Sequence, residues 1–272
     1  MAARVELWMK IVVAVKQVPE RDAVVRVAAD GRGMDAGDAA WMMNEPDAYA
    51  LEEALQLKER AGDAEVVVIC AGPERVQSTL REALAKGADR AVHVVVPESG
   101  AGALGERDSL DVARLLAEAV RAEAPELVLT GLQSDDLGAG QTGVVMAELL
   151  GMPHATLVLQ VELLEGNAGI RVKRELEDGW MQRVEMALPA LLTIQSGGNR
   201  LRYATLMGIK RARQKEMREV TAGAAGARVD EVVRVSAPVR VKSTEMLTGT
   251  PKEIAGKLVD VLKRQGIGRA SA

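Results

Sequence analysis

Four short apolar runs, residues 10–18 (KIVVAVKQV), 65–71 (EVVVICA), 90–96 and 127–130 (LVLT), alternate with stretches whose apolar side chains recur at helical spacing. That alternation is the pattern of parallel strands joined by crossover helices, because parallel neighbours need a long connection and both faces of the sheet are then covered. The helix signals agree. Asn44 stands as an N-cap ahead of Pro46 and Asp47, the helix it opens runs through Arg60, and Gly62 closes it; a second helix ends at Lys86 before Gly87, and a third lies near residues 108–123. The chain is expected to be an α/β protein with an open, mostly parallel sheet covered by helices.

Beyond Pro153 the pattern shortens to alternating segments, residues 156–164, 170–175, 181–186 and 191–194. These predict a β-hairpin addition or further antiparallel strands. Residues 221–228 (TAGAAGAR) are small and glycine-rich and read as a linker, followed by an extended stretch over 229–241 and a helix over about 251–264. The expected organisation is an α/β domain over residues 1–220, with a linker and C-terminal arm over 221–272. Apolar Ile254, Leu258, Val261 and Leu262 give the arm a face to bury.

Ligands of open parallel sheets sit beyond the carboxyl ends of the strands, so the segments after residues 14, 71 and 131 should converge on one crevice. Residues 131–143 (GLQSDDLGAGQTG) lie between the strand at 127–130 and a helix starting near Thr142. A helix N-terminus presents unpaired backbone N–H groups and a partial positive charge, and Gly138, Gly140 and Gly143 let backbone approach an anion closely. The loop therefore reads as a phosphate or nucleotide site. A second GxGxxG match at Gly100, Gly102 and Gly105 is separated from its strand by Pro97, Glu98 and Ser99, and reads as a surface loop. No GxxxxGK[ST] loop occurs.

Composition narrows the function classes. A single cysteine and two histidines offer no zinc-type cluster, and Cys70, His93 and His154 read as structural residues of strands. A net charge of −4, aromatic content of 2% and the absence of Phe argue against a nucleic-acid surface. No apolar run approaches the ~18 residues of a membrane span. The first residues lack the apolar core of a secretory signal, Met9 offers a second start, and a cytoplasmic protein is expected. The basic run Lys210, Arg211, Arg213, Lys215 and Arg218, mixed with Glu216 and Glu219, reads as a solvated helix face or a partner surface. Binding accounts for these features better than covalent catalysis, and no catalytic residue is assigned.

Several ordered segments resemble the beta subunit of electron transfer flavoprotein, also called the FixA family. They are KIVVAVKQVP, NEPDAYALEEAL, the loop ending GQTG, VKRELEDGWMQRVEMALPALLT over residues 172–193, and RYATL over 202–206. The resemblance covers residues 9 to about 219 and implies an adenine-nucleotide-binding domain of flavodoxin-like topology, paired as a heterodimer with an alpha subunit that holds most of the FAD. It implies an electron carrier taking electrons from flavin dehydrogenases and passing them to a quinone oxidoreductase. Carried over by position, Ala14, Asn44, Ala71, Gln133, Asp136, Gly140, Gln141, Thr142 and Gly143 would line a crevice holding AMP, or a second FAD in the bifurcating branch that oxidises NADH. GQTG favours AMP. Gly198, Asn199, Arg200, Leu201, Arg202 and Tyr203 would form the partner-recognition segment, and the loop from Gln195 to Leu201, which mixes glycines with polar residues, is expected to be exposed and mobile. Gly198 stands where mitochondrial-type members carry a leucine, and Asp135 and Asp136 are followed by Leu137 where some members carry a third acid. Two further readings stay open, a nicotinamide-dependent dehydrogenase and a nucleotide-sensing module similar to universal stress proteins.

Overall fold

The apolar runs become the centre of a nine-stranded sheet in a computed structural model that describes residues 9–35, 39–96, 107–165, 169–221, 223, 231–238 and 244–267. In chain order the elements are β1 (Met9–Ala14), β2 (Gln17–Pro19), β3 (Arg26–Val27), β4 (Met34–Asp35), β5 (Trp41–Met43), α1 (Glu45–Ala61), β6 (Ala64–Gly72), α2 (Gln77–Lys86) and β7 (Arg90–Val95). They continue with α3 (Ser109–Glu123), β8 (Leu127–Gly131), α4 (Thr142–Leu150), β9 (His154–Leu163), β10 (Ile170–Glu175), β11 (Met181–Met186), β12 (Ala190–Ile194), α5 (Leu206–Ala212), β13 (Met217–Thr221) and α6 (Pro251–Arg264).

Period-two alternation divides the core strands between two faces. Ile11, Val13, Val66, Val68, Leu127 and Leu129 pack with α1 and α2, while Val12, Val67, Ile69, Val128 and Leu191 pack with α3 and α4. Burial on both sides explains why these strands read as continuous apolar runs. Cys70 is buried and free, as its setting in such a run predicts.

The sheet order is β11-β10-β9-β12-β8-β1-β6-β7-β13. The open, mostly parallel α/β architecture is the expected one, but the strand order departs from the flavodoxin-like topology expected. Counting β1, β6, β7, β8 and β12 as successive core strands, the order is 3-2-1-4-5, where a flavodoxin-like sheet would run 2-1-3-4-5. The chain winds outward from β1 to β6 and β7, then returns through α3 to place β8 on the other side of β1. The switch point, where ligands of such sheets bind, therefore falls between β1 and β8.

The segments beyond Pro153 are antiparallel only in part. β10 pairs antiparallel with β9 and β11, forming the expected hairpin, whereas β12 is parallel to both β8 and β9. The basic stretch after Lys210 divides between α5 and the edge strand β13, which pairs in parallel with β7. In β13 Met217 and Val220, three residues apart and so on opposite faces, pack against the two sides of the core, while Arg218 and Glu219 between them stay exposed at the sheet edge.

Two units separate along the chain, Met1–Ser236 and Ala237–Ala272. The second contains α6, which begins at a reciprocal cap: the Thr250 hydroxyl accepts from Glu253 N–H and the Glu253 carboxylate accepts from Thr250 N–H. Most of the linker expected at 221–228, and parts of the stretch at 229–241, lie outside the described residues, as do Gly100, Gly102 and Gly105.

Candidate functional site

At the carboxyl ends of β1, β6 and β8 the backbone opens into a cavity of about 260 Å³. Its floor is apolar, made by Ala14, Ala71 and, from α3, Val112, Leu115 and Leu116. Its rim is the loop from Gly131 into α4. Gly138 N–H bonds Ser134 C=O, and Gly138 and Gly140 both take φ of +64°, a conformation that disfavours residues with a Cβ. The first intrahelical bond of α4 runs from Val145 N–H to Gln141 C=O, so the N–H groups of Thr142 and Gly143 lie ahead of the helical ladder. A Cβ on Gly143 would sit 2.7 Å from both the Thr130 hydroxyl and the Thr193 methyl. The helix N-terminus thus packs directly on the strand ends, which is how its dipole comes to face the cavity.

Two side chains at the start of α1 fix this loop. One carboxylate oxygen of Asp47 accepts Lys16 N–H at 2.7 Å and the other accepts Gly131 N–H at 2.8 Å, so one residue ties the end of β8 to the chain just after β1. The Asp47 carboxyl is pushed up to about 6 by burial, against the opposing pull of the two N–H groups, the Asn44 side chain and the Lys16 charge. Asn44 occupies the expected N-cap position but makes no side-chain cap bond. Its amide spans the switch point instead, donating to Gln133 C=O at 3.0 Å and accepting Asp135 N–H at 2.8 Å.

Of the residues expected to line one site, Ala14, Asn44, Ala71, Gln133, Gly140, Gln141, Thr142 and Gly143 all line this cavity. Asp136 is not among the lining residues; it receives the Lys16 ammonium at 2.6 Å, with Ser134 Oγ 3.3 Å from the same nitrogen. Burial alone would raise the Asp136 carboxyl, but the Lys16 charge and hydrogen bond bring it below its ordinary value. Sequence reasoning missed three cationic side chains of the lining: Lys16, Arg75, which lies 3.9 Å over the Trp41 ring, and Arg107, whose guanidinium pairs with Asp111 at 2.5 Å. The crevice thus combines an apolar floor, backbone N–H donors at the start of α4 and three cationic side chains, of which Lys16 and Arg107 are paired with Asp136 and Asp111, an arrangement suited to a planar base carrying a phosphate. Among the described residues no group of three or more His, Cys, Asp or Glu side chains is arranged to hold a metal ion, and no helix is long and apolar enough to cross a membrane.

The second predicted segment, residues 198–203, follows β12 and is fastened to the body of the protein. Gly198 lies against Leu159 C=O so closely that a Cβ would meet the oxygen at 2.2 Å, which excludes a larger residue without a backbone shift. Asn199 donates to Tyr49 C=O and Glu53, and Arg202 forks onto Glu52. Outward exposure, expected across residues 195–201, is confined there to Gly197 and Arg200, with Tyr203 exposed just beyond.

Comparison with known proteins matches residues 34–225 to the electron transfer flavoprotein domain. An electron transfer flavoprotein subunit beta of Methylophilus methylotrophus is 38% identical over 263 residues, covering 93% of this chain and 98% of the relative. Subunits of the same description from Mus musculus and Bradyrhizobium diazoefficiens are each 37% identical, covering 90% and 92% of this chain and 98% and 100% of the relatives respectively.

Proposed function

The chain belongs to the beta-subunit family of electron transfer flavoproteins, and from that premise we propose that its crevice holds AMP while the FAD lies mostly on an alpha-subunit partner. The observation that carries this reading is the crevice at the β1–β8 switch point. Its volume of about 260 Å³ lies just below the usual range of ligand pockets, which favours a mononucleotide over a second dinucleotide. The N–H groups of Thr142 and Gly143 and the hydroxyl of Thr142 would take the phosphate, and Val112, Leu115 and Leu116 would cover the base. AMP performs no redox step; it occupies and stiffens the switch point beside the partner.

In this reading the heterodimer accepts electrons from flavin dehydrogenases and delivers them to a quinone-linked acceptor, with this chain supplying binding surface and support. The isoalloxazine supplies the redox chemistry. Residues 221–272 serve as linker and arm, and the apolar side of α6, with Leu258 and Leu262 exposed, docks on the alpha subunit. Co-expression with an alpha subunit, followed by the flavin spectrum and mass spectrometry of released ligands, tests the assignment. One FAD and one AMP per heterodimer is the expected result. Two FAD and no AMP would place the chain in the bifurcating branch, and nucleotide binding by a homodimer without flavin would favour a sensing module.

A further inference from the structure

Helix α1 carries two adjacent carboxylates, Glu52 and Glu53, whose side chains are each 5% exposed. Neighbouring buried acids are costly unless each is paired and hydrogen-bonded, so their partners identify what this arrangement holds in place. Both face the segment after β12. Glu52 takes the Arg202 guanidinium through two bonds, Nε to Oε2 at 2.8 Å and Nη2 to Oε1 at 3.0 Å, and also accepts Arg202 backbone N–H at 3.2 Å. Glu59, two turns further along the helix, completes the grip on Nη1 at 2.7 Å. Glu53 accepts from the Asn199 amide at 3.2 Å and from Arg60 at 3.1 Å.

We infer that Glu52 and Glu53 are positioning residues for the segment from Gln195 to Thr205, holding its inner side to α1 so that Arg200 and Tyr203 project together as a fixed contact surface. Tyr203 is 93% exposed, an unusual setting for an aromatic side chain in an anchored segment. Just beyond it, Leu206 and Met207 at the start of α5 are also exposed, so the clamped segment leads into further exposed apolar side chains. Burial would raise the Glu52 carboxyl, but the Arg202 and Gln56 hydrogen bonds and the Arg202 charge bring it below its ordinary value, which keeps the pair ionised at neutral pH. Asn44 and Asp47, which fix the crevice loop, lie on the first turn of the same helix. One rigid element thereby sets the geometry of both loops.

This inference rests on the reading that the segment meets an electron donor. Its test uses the FAD-loaded heterodimer carrying Glu52→Ala, Arg202→Leu or both, with a substrate-reduced flavin dehydrogenase as donor. Amide exchange across residues 195–205 should quicken by about tenfold in either single variant, with the sheet strands unchanged. KM for the donor should rise by about tenfold with kcat within about twofold, and the double variant should match the singles rather than multiply them. Glu59→Ala should show a smaller effect. Unchanged exchange in the segment, or multiplicative effects of the two substitutions, overturns the positioning role. A wild-type heterodimer that carries flavin yet accepts electrons from no flavin dehydrogenase overturns the functional reading instead.

Discussion

Replacing Asp47 by Asn should make the protein more stable at neutral pH while leaving it nearly unchanged in mild acid. In the folded chain the Asp47 carboxyl titrates at about 6, against an ordinary value of 3.8, with burial as the dominant cause. Between those values the unfolded chain has released its proton and the folded chain has kept it, so stability falls as pH rises through this window. A rise of about 2 units at ~1.4 kcal/mol each is worth about 3 kcal/mol in full, of which about 2.5 kcal/mol is expressed between pH 4, where the unfolded acid is already partly ionised, and pH 7. Asn cannot ionise and carries no such slope. Its single acceptor oxygen serves only one of Lys16 N–H and Gly131 N–H, and the unserved donor costs about 1–3 kcal/mol, a loss the protonated acid largely shares. Urea midpoints of wild type and Asp47→Asn, compared from pH 4 to pH 7.5 at constant ionic strength, cancel the titration of every other group. The variant's relative stability should rise by about 2.5 kcal/mol across the window. A difference that is flat with pH, or that falls, would refute the assignment of a buried, high-titrating clamp.

Gly143→Ala should force the start of α4 away from Thr130 and Thr193, costing about 1–3 kcal/mol and lowering the nucleotide released from purified heterodimer, as melting curves and mass spectrometry would record. Glu123, which pairs with Arg90 and receives Arg218 at 2.6 Å, has a carboxyl held below its ordinary 4.5, chiefly by the Arg90 hydrogen bond. Its contribution is therefore present above about pH 4.5 and lost as pH falls through the folded value; Glu123→Gln should cost about 3 kcal/mol at pH 7 and progressively less in acid, read from unfolding midpoints. Chains ending at Thr221 should bind the alpha subunit at least ~tenfold more weakly, and undiminished co-purification would show that residues beyond it serve another purpose.

The helices and the central strands were legible because their signals are local. Asn44 with Pro46, then Gly62, bracket α1; Gly87 closes α2; the doubly buried strands contain little but Val, Ile, Leu and Ala. Strand order was not legible. The same succession of strands and helices is compatible with either direction of the second crossover, and the choice is made by which edge of β1 accepts β8, a pairing between Ile11 and Leu127 over more than a hundred residues. β13 escaped notice for a different reason. Lys210, Arg211 and Arg213 set the character of that stretch, while the apolar residues that place it in the sheet, Met217 and Val220, are two of five in a solvated edge strand.

The crevice shows where residue-level inference reaches its limit. Glycines and a helix start can offer an anion their own backbone N–H groups, so the loop over residues 131–143 reads as a candidate anion site without knowledge of its neighbours. Asn44 and Asp47 do not. At the head of a helix both satisfy the ordinary rule for a cap and an acidic first turn, and that local role is sufficient to account for them. In the folded chain Asn44 makes no side-chain cap bond, and the Asp47 carboxylate is spent on N–H groups 31 and 84 residues away in sequence. The residue that makes this possible is Gly131, where a Cβ would lie 2.4 Å from an Asp47 carboxylate oxygen. Its missing side chain is the space the clamp occupies, so the glycine that appeared to begin a ligand loop is also the socket for α1. Gly131→Ala should accordingly displace Asp47 and loosen both the crevice loop and the start of α1, a paired effect that amide exchange can separate from simple loss of ligand contact.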